Sequence, residues 1–126
     1  MVINISSAAG DIPTPMMQIY SATKAFVKVF SACLNSECAG TGIEVQCIVP
    51  FIVATNMTIS ALNLGKPSLM YPGPDEYVTH ALRTVGVRSM THGYWLHSLQ
   101  AFIIGCFPAW FVEKHGFSLL SLINSL

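Results

Sequence analysis

Three periodicities in a fixed order constrain this sequence most: a short apolar run, a long stretch with helical spacing, then a second run that alternates every other residue. Met1 to Ile5 is apolar and is closed by Ser-Ser-Ala-Ala-Gly, the pattern of a strand buried on both faces and followed by a loop. From about Ile19 to Glu37, Ala22, Phe26, Phe30, Cys33 and Leu34 recur at helical steps, with Lys24, Lys28 and Asn35 elsewhere around the turn. Gly40 and Gly42 end that helix, and Ile43 to Val49 is rich in β-branched residues with Ile43, Val45, Cys47 and Val49 at period two. Two strands separated by so long a helix cannot form a hairpin. They must lie parallel, joined by a crossover that is right-handed in nearly all known cases.

The connections follow from the punctuating residues. Gly10, Pro13 and Pro15 keep Ser6 to Met17 out of helix. The stretch after Pro50 carries Gly65, Pro67, Pro72 and Gly73 and is expected to be a long irregular loop that folds over a ligand. Pro74-Asp-Glu opens a second helix, with proline at its first position and carboxylates against the dipole, running to about Val85 before Gly86. Between Arg88 and Glu113 no residue carries a formal charge. Residues 93–112 reach the length of a membrane span, about 20 residues, only by including His97, Ser98 and Gln100, so an interfacial or hairpin-like membrane contact is expected there.

Composition supports that expectation: the chain is 52% hydrophobic and 10% charged, against roughly 25% charged in ordinary soluble domains. Six basic side chains balance six acidic ones, so no net field attracts nucleic acid. Cys33, Cys38, Cys47 and Cys106 lack Cys-x-x-Cys spacing and sit among apolar neighbours, as buried free thiols in a reducing compartment do. His80, His92, His97 and His115 are too scattered for a metal site, and none is expected. Met16, Met17, Met57 and Met70 flank the loops, where they either line an apolar pocket or fill the core.

The chemistry lies at the start of the long helix. Tyr20 and Lys24 are one turn apart on one face, which makes a phenol and an ammonium neighbours. A nearby cation favours the ionised phenol, so Tyr20 is a candidate general acid or base. Ser7 precedes Tyr20 by thirteen residues and follows the first strand, where a parallel sheet presents its ligand-binding edge. Ser6, on another side of the backbone, is read as a loop hydrogen-bonding residue.

A serine after a strand, Tyr-Ser-Ala-Thr-Lys opening a helix and Pro50-Phe-Ile-Val-Ala-Thr55 after the next strand together resemble the short-chain dehydrogenases. That resemblance implies an α/β fold, the C-terminal half of a Rossmann-type doubly wound parallel sheet with an apolar helical C-terminal segment. It makes Tyr20 the proton donor, Ser7 the group orienting the reacting oxygen, and Lys24 the residue that tunes Tyr20 and binds the nicotinamide ribose. Pro50, Val53 and Thr55 match the family's Pro-Gly-x-Val-x-Thr, which approaches the nicotinamide. Phe51 replaces the glycine, and that contact is expected to weaken.

The aromatic after that proline, with Asn4-Ile-Ser-Ser and Thr84-Val-Gly, is most similar to the 17β-hydroxysteroid dehydrogenase type 3 and type 12 branch. The branch implies NADPH, a lipophilic ketone (a 17-ketosteroid or a very-long-chain 3-oxoacyl-CoA), the endoplasmic reticulum membrane, and a homodimer through the Tyr20 helix at Phe26, Val27 and Phe30. Residues 1–126 then form a partial domain. The glycine-rich turn of the dinucleotide-binding half is absent, and the isolated chain is expected to be inactive. The alternative is a non-catalytic truncated isoform that binds membrane or a full-length subunit.

Overall fold

A computed structural model describes residues 1–62, 66–115 and 118. Strand β1 (Val2–Ile5) leads through a 3-10 turn (Ala8–Gly10) to α1 (Gln18–Glu37) and β2 (Val45–Ile48). Then follow α2 (Asn56–Leu62), α3 (Pro74–Leu82), β3 (Met90–Thr91) and α4 (Trp95–Gly105). A further helix, α5 (Ala109–His115), bends away from α4 by 113°. The three strands form one parallel sheet in the order β1-β2-β3, with Val2 opposite Val45 and Cys47 opposite Met90. The strand, helix and parallel strand expected from periodicity are present, and the fold is a partial Rossmann-type α/β sheet.

Burial grades across this sheet. Every residue of β2 is buried, because β2 has a strand on either side and helices over it. β1 differs from the expectation: Val2, Ile3 and Ile5 are 41%, 40% and 53% exposed. It is an edge strand, and among the described residues nothing pairs with its outer side. The two-residue β3 was not foreseen, because so short a pairing leaves no periodicity to read.

Helix α1 also turns a different face inward. Phe26, Phe30 and Cys33 of the expected apolar stripe are exposed, whereas Ser31 is buried. Ser31 Oγ donates to the Val27 carbonyl at 2.6 Å and accepts from Asn4 Nδ2 at 3.0 Å, tying the helix to β1. Small and hydrogen-bonded side chains let a helix approach a sheet closely, and here they outweigh aromatic periodicity. The stretch after Pro50 is likewise not wholly irregular, since Asn56–Leu62 closes into α2. Thr58 Oγ1 donates to the Val53 carbonyl at 2.5 Å and Thr55 Oγ1 lies 3.1 Å from it, so hydroxyls supply the capping.

The core has two parts. Ile48, Tyr77, Ala81, Tyr94 and Leu96 pack under α3 and α4, and Ile12 with Ile104 packs between the first loop and α4. Met70 touches both and fills the core, while Met16 and Met57 are 92% and 74% exposed and belong to neither cluster among the described residues. All four cysteines are free, but only Cys47 is buried, and Cys33 and Cys106 face outward with the helix faces that carry them. No single described helix is long and apolar enough to cross a membrane. α4 and α5 pass that test only as a bent pair.

Candidate active site

The site forms where β1 and β2 release the chain. Ser6 N–H donates to the Ile48 carbonyl and Ala8 N–H to the Pro50 carbonyl, 2.8 and 2.9 Å, so the two segments leaving the sheet run side by side. Ser7 lies between these bonds in extended conformation. Its Oγ accepts the Ala9 N–H at 3.2 Å and caps the 3-10 turn. An accepting hydroxyl keeps its own hydrogen for another partner, and Ser7 makes no further side-chain hydrogen bond among the described residues.

Helix α1 brings the other two groups to the same corner. Lys24 Nζ donates to the Ile5 carbonyl, two residues before Ser7, at 3.1 Å. The same Nζ lies 5.7 Å from the centre of the Tyr20 ring, as one helical turn requires. Tyr20 is 39% exposed, so its phenol remains accessible. Ser7, Tyr20 and Lys24 therefore share the carboxyl end of β1.

Two residues outside the candidate set hold this corner. Ser6 is buried, and its hydroxyl donates to the Lys24 carbonyl at 2.6 Å, so it joins the strand to α1 rather than serving the loop alone. Gly10 is the missed residue. A Cβ there would lie 2.8 Å from the Ala25 nitrogen and 2.9 Å from the Lys24 carbonyl carbon. Only glycine lets the 3-10 turn rest on α1, a role that Ser-Ser-Ala-Ala-Gly signals only by its last letter. An ion pair between Lys28 and Asp11 closes the outer side.

The second predicted group follows β2. Phe51 turns its ring toward the interior, against the Ile12–Ile104 cluster and the imidazoles of His92 and His97. Val53 packs on the other core cluster, and Thr55 joins the capping of α2. Pro50 is bound to Ala8 and thus lies beside Ser7. Lys24 lies beside Tyr20 and is tied to the strand end that leads to Ser7 through the Ile5 carbonyl, and Pro50 is joined to the same strand end through Ala8. Val53 and Thr55 lie farther along the same segment. The partly exposed Tyr20 and Lys24 fit the nicotinamide-ribose end of a dinucleotide. The sequence contains no glycine-rich turn for the diphosphate.

His97, one of the histidines too scattered in sequence to suggest a metal site, is a fully buried core histidine directly behind Phe51. Burial pushes its pKa down to about 4, outweighing the opposing pull of the Ile52 backbone. Among the described residues no three metal-ligating side chains come together.

A parallel sheet with a serine, tyrosine and lysine at its carboxyl edge is the architecture of a carbonyl oxidoreductase. The family model for short chain dehydrogenase matches residues 1–63, and the chain belongs to that family. It is 42% identical over 113 residues to the very-long-chain 3-oxoacyl-CoA reductase of Homo sapiens, covering 90% of this chain and 35% of that protein. The Mus musculus counterpart is 43% identical over 120 residues, 94% of this chain and 37% of the relative. Hydroxysteroid dehydrogenase-like protein 1 of Gallus gallus is 39% identical over 109 residues, 86% and 33%. The chain spans about a third of the length of these curated relatives. No solved structure matches it significantly.

Proposed function

We propose that this chain carries the proton-transfer machinery of an NADPH-dependent reductase whose complete form reduces a ketone on a lipophilic substrate. One observation carries the reading: Lys24 grips the carbonyl of Ile5 beside the Tyr20 ring, at the strand end from which Ser7 follows. The names of the human and mouse relatives favour a 3-oxoacyl-CoA, and that of the chicken relative keeps a hydroxysteroid in view.

In this reading the Ser7 hydroxyl donates its free hydrogen to the substrate carbonyl oxygen and steadies the charge that develops there. Tyr20 delivers the proton to that oxygen, and the Lys24 ammonium stabilises the phenolate left behind. NADPH, when bound, supplies the hydride. Lys24 and Tyr20 would hold its nicotinamide ribose, and the segment carrying Pro50, Phe51, Val53 and Thr55 would approach its nicotinamide.

Tyr20→Phe, placed in the complete enzyme, is expected to lower turnover of a 3-oxoacyl-CoA by about 10²–10⁴-fold. Unchanged turnover would remove the proton-donor role. The isolated chain is expected to show no saturable NADPH fluorescence change, and a saturable one would overturn the inactivity of the fragment.

Exposed side chains favour a second reading, a non-catalytic form bound to a membrane or to a full-length subunit. Phe26, Val29 and Phe30 stand out from α1, and Trp95, Phe102 and Trp110 from α4 and α5. The α1 stripe suits a second subunit, and the bent pair, whose formal charges are confined to Glu113 and Lys114 near its end, suits the interface of the endoplasmic reticulum membrane.

A further inference from the structure

The chain is held on both sides of Pro50 by a histidine. On one side, His92 Nδ1 lies 2.9 Å from the Val49 carbonyl, so this nitrogen must carry the proton and donate. On the other, the Phe51 N–H donates to His97 Nδ1 at 3.4 Å, so that nitrogen must be bare. Two neighbouring imidazoles therefore stand in opposite tautomers across a residue that has no N–H of its own.

We propose that His92 and His97 form a clamp that positions the segment from Pro50 to Thr55, with His97 the acceptor that sets the direction of the backbone at Phe51. The fold places each half of the clamp with care. His92 follows the last ladder bond of the sheet, Val49 N–H to the Thr91 carbonyl at 2.8 Å. His97 is fully buried on α4, its ring 5.4 Å from that of Tyr77 and 5.3 Å from that of Tyr94. The Tyr77 hydroxyl in turn donates to the His92 carbonyl at 2.9 Å, closing the frame between α3 and the two histidines. His97 Nε2 finds no hydrogen-bond partner among the described residues, and the Phe51 N–H is the bond that geometry places on Nδ1, with the Ile52 and His92 backbone also acting on the ring.

The clamp also gives the aromatic at Phe51 a place to pack, at the position where the short-chain dehydrogenase motif Pro-Gly-x-Val-x-Thr has glycine. The Phe51 ring lies 5.7 Å from the His92 ring and 5.8 Å from the His97 ring, against both imidazoles at once. A glycine would leave that space unfilled. The ring is engaged with the interior, and the backbone is held from behind. Because the Pro50 carbonyl accepts from Ala8, the same clamp sets where the cofactor segment stands relative to the Ser7 turn. Its catalytic meaning rests on the reading of this segment as nicotinamide-facing. Its existence does not.

The test is nitrogen-15 NMR of the full 126-residue chain with labelled histidine, followed by amide hydrogen exchange. At pH 7 His97 is expected to be bare at Nδ1 and His92 protonated there, and a protonated Nδ1 on His97 would overturn the clamp even if no variant folds. His97→Leu fills the space without an acceptor and is expected to speed exchange at the Phe51 amide about tenfold, the equivalent of one net hydrogen bond. The Val49 amide, bonded to Thr91, should keep its rate. His97→Asn, which restores an acceptor oxygen near the Nδ1 position, should return Phe51 toward the native rate. Exchange rising equally at Phe51 and Val49, or at neither, contradicts a positioning role. None of these readouts needs NADPH, so a chain that passes them while the complete enzyme fails to use NADPH keeps the clamp and loses only the cofactor reading.

Discussion

Ser6 and Ser7 are neighbours with opposite duties. Ser6 turns inward and spends its hydroxyl on the Lys24 carbonyl, whereas Ser7 turns along the turn and keeps its hydrogen. Letters alone distinguish them only through spacing to Tyr20. Gly10 is the sharper test of this corner, because a methyl there meets backbone rather than a yielding side chain. Gly10→Ala is expected to cost about 1–3 kcal/mol in urea unfolding, and an unchanged midpoint would refute the close approach. His97 gives a second test at this scale. Its pKa is about 4 in the folded chain and near 6.5 when unfolded, so between these values the unfolded chain binds the extra proton. Stability is complete above about pH 6.5 and falls by about 3 kcal/mol as the pH drops toward 4. The ring meets Phe51, Tyr77 and Tyr94, the last bonded to Glu76, and His92 acts on it electrostatically. Unfolding midpoints of the native chain and His97→Leu at pH 7 and pH 4.5 isolate the effect, and equal pH dependence would remove it.

Among the elements, β1, α1 and β2 were legible because period two and period 3.6 persist over enough residues to exclude each other. Their bounds moved by a residue or two. The inward face of α1 was not legible. Ala22, Phe26 and Phe30 dominate a count of apolar letters, yet Ser31 and the Lys24 carbonyl hold the helix to the sheet through bonds to Asn4 and Ser6. Those partners lie 27 and 18 residues away, beyond any local window. The turn between β3 and α4 makes the same point. Gly93 has φ of +73° and its absent Cβ would lie 2.6 Å from the Tyr77 hydroxyl. Gly93→Ala is expected to destabilise the chain by about 2 kcal/mol and to loosen the His92–Tyr77 contact. Proteolysis that leaves the α3–α4 region as resistant as before would contradict this.

At the scale of the molecule, two groups of apolar side chains remain exposed. One is β1 with the Phe26–Phe30 stripe, whose rings stack at 5.8 Å. The other is Trp95, Phe102, Phe107 and Trp110 of the α4–α5 region. Both tryptophans of the chain belong to this second group, so their fluorescence reports on it. If it rests on lipid, vesicles of neutral phosphatidylcholine should shift tryptophan emission to the blue and Phe102→Asp should weaken the shift. Emission unchanged by vesicles would leave the membrane reading without support.

The sequence by itself determined the parallel α/β order, the shared helix face of Tyr20 and Lys24 and the family resemblance, because each is a matter of periodicity or fixed spacing along the chain. Tertiary structure alone decided which side of α1 faces the sheet, that Gly10 must be glycine, and that two histidines flank Pro50 in opposite tautomers. These depend on backbone groups from distant segments arriving within about 3 Å of one another, and no local pattern of side chains encodes that approach.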